Sequence, residues 1–287
     1  MYARIFHAYI FSVSGNGIWY DSFAYKEKSA MDTEVILKTV NLKKVYNPES
    51  MNAVTALHDV NVEVHKGEFL GVMGPSGSGK STFINMISTM DYPTDGRVYI
   101  NNKNVMNMTA NEIGHFRYEN LGFIFQDFNL LDTHTMFENI AMPMTLAKVK
   151  PEVIEKRVNE IAERLNIKQL LNKIPPECSG GQRQRAAICR ALINDPGLIV
   201  ADEPTGALDS ENSEELMELF EKMNRENGST IVMVTHDSFV ASFTSRLIFI
   251  KDGQISQEIT RDGMDQDTYF RKIVEISSSS RTRRKTA

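Results

Sequence analysis

The sequence predicts an α/β fold with a mainly parallel central sheet, an antiparallel β subdomain and an inserted α-helical subdomain. Three observations carry this. Short apolar runs at 69–73, 121–125, 198–201 and 230–234 alternate with helical stretches, as strands buried on both faces of a parallel sheet do. Val35-Ile36-Leu37 and the alternating Val60 to Val64 read as antiparallel strands with one exposed face. Residues 134–172 are mostly helical, with Ile154, Val158, Ile161 and Leu165 spaced three and four apart.

In chain order, the pattern begins at residue 34. Phe69 to Met73 is a buried strand that runs into a glycine-rich loop, and Ser81 to Met90 follows as a helix. Pro93-Thr94-Asp95-Gly96 is a turn into the strand Arg97 to Ile100. Leu121 to Phe125 is the next buried run, ahead of the helical block. The runs at 198–201 and 230–234 each end in polar residues, and Leu247–Ile250 with Gln254–Glu258 closes a hairpin around Asp252-Gly253. No internal repeat is visible. Residues 1–30 are aromatic-rich without a period and read as an extension outside a domain spanning 31–276. The helical subdomain occupies about 127–190. Residues 277–287, with a serine run and four basic residues, read as a disordered basic tail.

At 287 residues, 41% hydrophobic and 24% charged, the chain has the balance of a globular α/β domain. No stretch approaches the roughly 18 apolar residues of a membrane span. The net charge is −5 although the tail is basic, so the body is acidic and no nucleic-acid partner is expected. Cys178 and Cys189 have neither metal-type spacing nor a disulfide framework, which fits a reducing cytosol.

Two motifs carry chemistry. Gly74-Pro75-Ser76-Gly77-Ser78-Gly79-Lys80-Ser81-Thr82 matches the phosphate-binding loop of P-loop NTPases, between a buried strand and a helix as that mechanism requires. Glycines let successive N–H groups converge on an anion, and the helix adds its positive end. Lys80 would neutralise the β- and γ-phosphates of ATP, and the Ser81 hydroxyl would take a place on Mg²⁺. The strand Leu198 to Ala201 delivers Asp202 and Glu203 to the carboxyl end of the sheet. Asp202 would hold Mg²⁺ and Glu203 would polarise the attacking water. Alone, two acids after a strand more often begin a loop or cap a helix; the phosphate loop favours the catalytic reading.

Cys178-Ser179-Gly180-Gly181-Gln182, about a hundred residues after the phosphate loop and just before the Asp202-Glu203 strand, resembles the signature loop of ABC ATPases. The resemblance covers roughly 34–258. By it, Gln126 looks like the glutamine that approaches Mg²⁺ and senses a membrane partner. Gly206-Ala207-Leu208-Asp209 looks like the loop that crosses a dimer interface, and His236 like the histidine that contacts the γ-phosphate. Tyr46 looks like the aromatic that stacks on adenine, against the plainer reading of a half-buried strand tyrosine. Two residues depart from the usual pattern: Cys178 stands where leucine is common, and Gly206 where serine is more frequent. The string Ala201 to Asp209 is similar to the branch serving lipoprotein release, macrolide export and antimicrobial-peptide resistance. Phe125 to Thr133 and Thr235 to Arg246 are similar to its bacitracin-resistance type.

The resemblance implies an ATPase at the cytoplasmic face of the membrane, driving a separate multi-spanning permease that often couples to a sensor histidine kinase. It also implies that Ser179, Gly180, Gly181 and Gln182 meet the ATP of a second copy of the chain. A socket for the permease is expected around Phe128, Leu130, Leu131 and Met136, unless these pack into the helical core. A non-transport ABC ATPase that acts as a regulator or mechanotransmitter is the alternative. The transported substrate would be recognised outside this chain.

Overall fold

The computed structural model describes residues 34–282, with side chains through 279; the segment 1–30 read as an extension lies outside the described residues. β1 (Val35–Tyr46) and β2 (Val54–His65) precede β3 (Phe69–Met73) and α1 (Lys80–Ile87). β4 (Asp95–Ile100), β5 (Lys103–Asn104), α2 (Ala110–Asn120) and β6 (Leu121–Ile124) follow. The helical block holds α3 (Met136–Leu146), α4 (Pro151–Arg164) and α5 (Gly180–Leu192). The chain then runs through β7 (Leu198–Asp202), α6 (Ser210–Asn227), β8 (Ile231–Val234), α7 (Ser238–Ala241), β9 (Arg246–Lys251), β10 (Gln254–Thr260) and α8 (Gln266–Thr282).

Two sheets result, as the patterning predicts. An antiparallel sheet has the order β2-β1-β4-β5, and a larger one has the order β10-β9-β3-β8-β7-β6. In the larger sheet β9, β3, β8, β7 and β6 are parallel and β10 alone runs antiparallel at the edge. Residues of β3 and β8 are buried throughout, which is why those runs are continuously apolar. One core lies between the two sheets and α1, with Leu37, Val72, Phe83, Ile84, Val200 and Ile248. The other joins the opposite face of the large sheet to α6 and the helical block through Phe69, Ala201, Phe220, Met217, Ile140 and Val158.

α3 and α5 start in capping boxes, Thr135 with Glu138 and Ser179 with Gln182, which satisfy two otherwise orphaned N–H groups each. α8 departs from expectation. It runs through Ser277 to Thr282, into the segment read as disordered. Tyr269, Ile273 and Ile276 hold it in a third core against Met73, Leu247, Phe249 and Ile259, and Ser278 and Ser279 donate back to the carbonyls of Glu275 and Ile276. The apolar face thus outweighs the low helix preference of a serine run.

Candidate active site

The parallel strands point their carboxyl ends toward one cleft of about 660 Å³. β3 delivers Gly74 to Gly77 and, after the loop, Lys80 and Ser81; β6 delivers Gln126; β7 delivers Asp202 and Glu203; β8 delivers His236. Neighbouring strands of the sheet thereby gather residues that lie far apart in the sequence, from Gly74 to His236.

Close approach explains the first glycine. A Cβ on Gly74 would sit 2.1 Å from the Ile250 carbonyl oxygen of β9, so only glycine lets β9 pack beside the loop. Lys80 Nζ donates to the carbonyls of Gly74 and Pro75 at 2.9 and 3.1 Å. Burial pushes its pKa down, and the nearby carboxylates of Glu203 and Asp202 pull it back up. Asp202 shows the converse: burial raises its pKa, Glu203 adds to the rise, and Lys80 opposes it. Its Oδ1 is buried without a hydrogen-bond partner. Glu203 Oε2 lies 2.6 Å from His236 Nδ1. Glu203 also has φ 47°, an uncommon left-handed conformation for a non-glycine residue and one that clusters at functional sites.

Ser81, Gln126 and Asp202 line the same cleft. A hydroxyl, an amide oxygen and a carboxylate are the hard donors that suit Mg²⁺, and the orphaned Asp202 oxygen fits that role. Among the described residues no cluster of three or more His, Cys, Asp and Glu forms a metal cage of protein groups alone, so such an ion would lean on phosphate oxygens as well.

Other predicted residues fall elsewhere. Ser78, Gly79 and Thr82 complete the loop and the start of α1 but do not line the cleft. Ser179, Gly180, Gly181 and Gln182 are also absent from its walls. The Ser179 hydroxyl accepts from Gln182 N at 3.3 Å, which leaves its own proton to donate. Tyr46, at the end of β1, is outside the cleft lining too; its hydroxyl donates to Asp91 at 3.3 Å and Lys44 Nζ lies 4.9 Å from its ring centre. The expected permease socket is divided: Phe128 and Met136 are buried, Leu130 packs partly against the helical core, and Leu131 is exposed. Met136 is drawn inward because it shares the buried face of α3 with Ile140 and Met144, four and eight residues on.

The patterning does not single out the far wall of the cleft, where Phe249 to Lys251 of β9 meet Ser256 of β10 and Ser277 of α8. Nor does it reveal Gln184, buried in α5, whose Nε2 donates to the Pro204 carbonyl at 2.8 Å and ties the signature helix to the turn after Glu203. Gly206 has a local reason as well: a Cβ there would lie 2.9 Å from Gln126 Nε2.

The sequence matches the ABC transporter family over residues 57–206. It is 46% identical over 243 residues to the ABC transporter ATP-binding protein YxdL of Bacillus subtilis, an alignment covering 85% of this chain and 93% of that protein. It is 41% identical over 239 residues to the bacitracin export ATP-binding protein BceA of Halalkalibacterium halodurans, covering 83% of this chain and 94% of that one. The fold is similar to the dimeric post-hydrolysis structure of the ATP-binding cassette MJ0796 of Methanocaldococcus jannaschii bound to ADP and Pi, with a TM-score of 0.73 and 41% identity over 78% of this chain and 98% of that one.

Proposed function

The chain belongs to the ABC transporter family as an ATP-binding and ATP-hydrolysing subunit, and from that premise we propose that it works as a pair, drives a separate permease and serves resistance to bacitracin-type peptides. The observation that carries the catalytic part is the convergence of Lys80, Gln126, Asp202, Glu203 and His236 on one cleft. Similarity to BceA supports the peptide-resistance part, and the dimeric MJ0796 cassette supports the pair.

In this reading the phosphate loop and α1 bind the ATP phosphates, with Lys80 offsetting charge on the β- and γ-groups. Tyr46 stacks on adenine. Ser81, Asp202 and Gln126 would hold Mg²⁺, which would offset charge on the phosphate oxygens. Glu203 orients a water and accepts its proton as the water oxygen bonds to the γ-phosphorus and the bond to the β–γ bridging oxygen breaks. ADP and phosphate are the products. Glu203 Oε2 accepts from His236 Nδ1–H and so orients the ring; a hydrogen bond from Nε2 to a γ-phosphate oxygen would need Nε2 to carry a proton as well.

Two substitutions test the roles. Lys80→Ala should abolish hydrolysis and weaken nucleotide binding, since it removes the cation that meets the phosphates. Glu203→Gln should keep binding and slow turnover by about 10²–10⁴-fold, the range for losing a general base. Near-normal turnover in Glu203→Gln would remove Glu203 from the mechanism. Deleting the gene should sensitise cells to bacitracin and leave unrelated antibiotics unaffected; unchanged bacitracin sensitivity would count against the peptide-resistance reading.

A further inference from the structure

We infer that Arg190 is a positioning residue for ATP hydrolysis: it clasps the turn after Gln126 to the helix that begins at the signature loop. Arg190 lies in the last turn of α5. Its Nη2 donates to the Phe128 carbonyl at 2.7 Å, and its Nη1 donates to the Asn129 carbonyl. Those two residues have φ 61° and 48°. Consecutive non-glycine residues in the left-handed region are sterically unfavourable and persist only where their surroundings hold them.

The guanidinium suits this task because its rigid fork reaches two carbonyls at once, which the point charge of a lysine ammonium does less well. Among the described residues Arg190 makes no ion pair with a carboxylate, and burial lowers its pKa. Its charge is therefore met by backbone dipoles at this turn. Arg183, two turns earlier on α5, adds a second contact with Cζ 5.4 Å from the centre of the Phe128 ring. Gln126 is two residues before Phe128, and Ser179 caps the same helix. The clasp makes the loop bearing Gln126 move with the signature helix. Gly206 leaves Gln126 a narrow seat, so a displaced loop would misplace the amide.

This inference rests on the proposed role of Gln126, and the test separates the two. Arg190→Lys, Gln126→Ala and the double variant are made in the full chain. Hydrogen–deuterium exchange across 126–131, kcat, KM for ATP and melting temperature are measured. Arg190→Lys, which keeps the charge, should speed exchange in 126–131 about tenfold with the sheet unchanged, lower kcat about tenfold and leave KM within about twofold, by analogy with other supporting residues around a site. The double variant should lose no more kcat than Gln126→Ala alone, because Arg190 acts through Gln126. Unchanged exchange in Arg190→Lys overturns the clasp. Losses that multiply in the double variant overturn its action through Gln126. A normal kcat in Gln126→Ala overturns the reading of Gln126, and with it the positioning role, while faster exchange would still report the physical link.

Discussion

At the residue scale, Asp202 carries an electrostatic burden that its proposed role explains. It is half-buried, its enclosed Oδ1 lacks a partner, and its pKa is raised chiefly by burial and then by Glu203. An acid with a higher pKa in the folded state binds more protons when folded. Stability is then greatest below the ordinary carboxylate pKa of about 3.9 and declines as pH rises through the folded value. Above that value the ionised carboxylate is a cost that a bound cation would relieve. Asp202→Asn should therefore raise the melting temperature of the nucleotide-free protein at neutral pH, by about 2–4 °C per kcal/mol recovered, and lose that advantage in acid. The same variant should lose Mg²⁺-dependent turnover. Calorimetry across pH checks the first outcome, and a lower melting temperature for the variant at neutral pH would show that Asp202 has stabilising partners.

At the scale of elements, the segment between β6 and α3 separates core from surface. Met136 is fully buried, whereas Leu131 is 45% exposed. Leu131→Glu should change stability by less than about 0.5 kcal/mol and impair copurification with the proposed permease. Met136→Ala should cost about 2–5 kcal/mol through the cavity it leaves. Denaturant melts and pull-down measurements check the pair, and intact permease association in Leu131→Glu would move the docking surface elsewhere. The same segment shows what was legible in the sequence. Its motifs place Gln126, but which side of a loop faces inward depends on the left-handed turn at Phe128 and Asn129, and no apolar period encodes that. The parallel strands were legible because burial on both faces makes them continuously apolar. Only the start of β1 stood out, because Asn41, Lys43 and Lys44 interrupt its pattern where the register shifts. Asp202 and Glu203 were readable because they end such a strand in a chain that also carries a phosphate loop, and His236 through its resemblance to the family pattern. Ser277 was not, because it reaches the cleft from α8.

At the scale of the whole molecule, the signature loop is not part of the cleft that its own phosphate loop builds. Ser179 caps α5 in the helical block, and α5 is tied by Gln184 to the turn after Glu203. The proposed pair resolves this separation: the signature loop of each copy closes the cleft of the other, and twofold symmetry makes two equal sites. Glu203→Gln should then accumulate ATP-bound dimers, detectable by light scattering. The sharper experiment mixes two inactive variants, Lys80→Ala and Ser179→Arg. In the mixed dimer one site receives both lesions, because the altered phosphate loop of one copy faces the altered signature loop of the other. The second site keeps an intact loop from each copy. If the sites turn over independently and the chains mix at random, half of the dimers are mixed and each has one working site, so about a quarter of the normal activity returns. Activity no higher than that of the separate variants, in a mixture where mixed dimers are shown by differential tagging, would sink the shared site or show that one intact site cannot turn over alone. Linking one wild-type copy to the double variant Lys80→Ala/Ser179→Arg tells these apart: there each site carries one lesion, so a shared site predicts no activity, whereas a site complete within each copy predicts half.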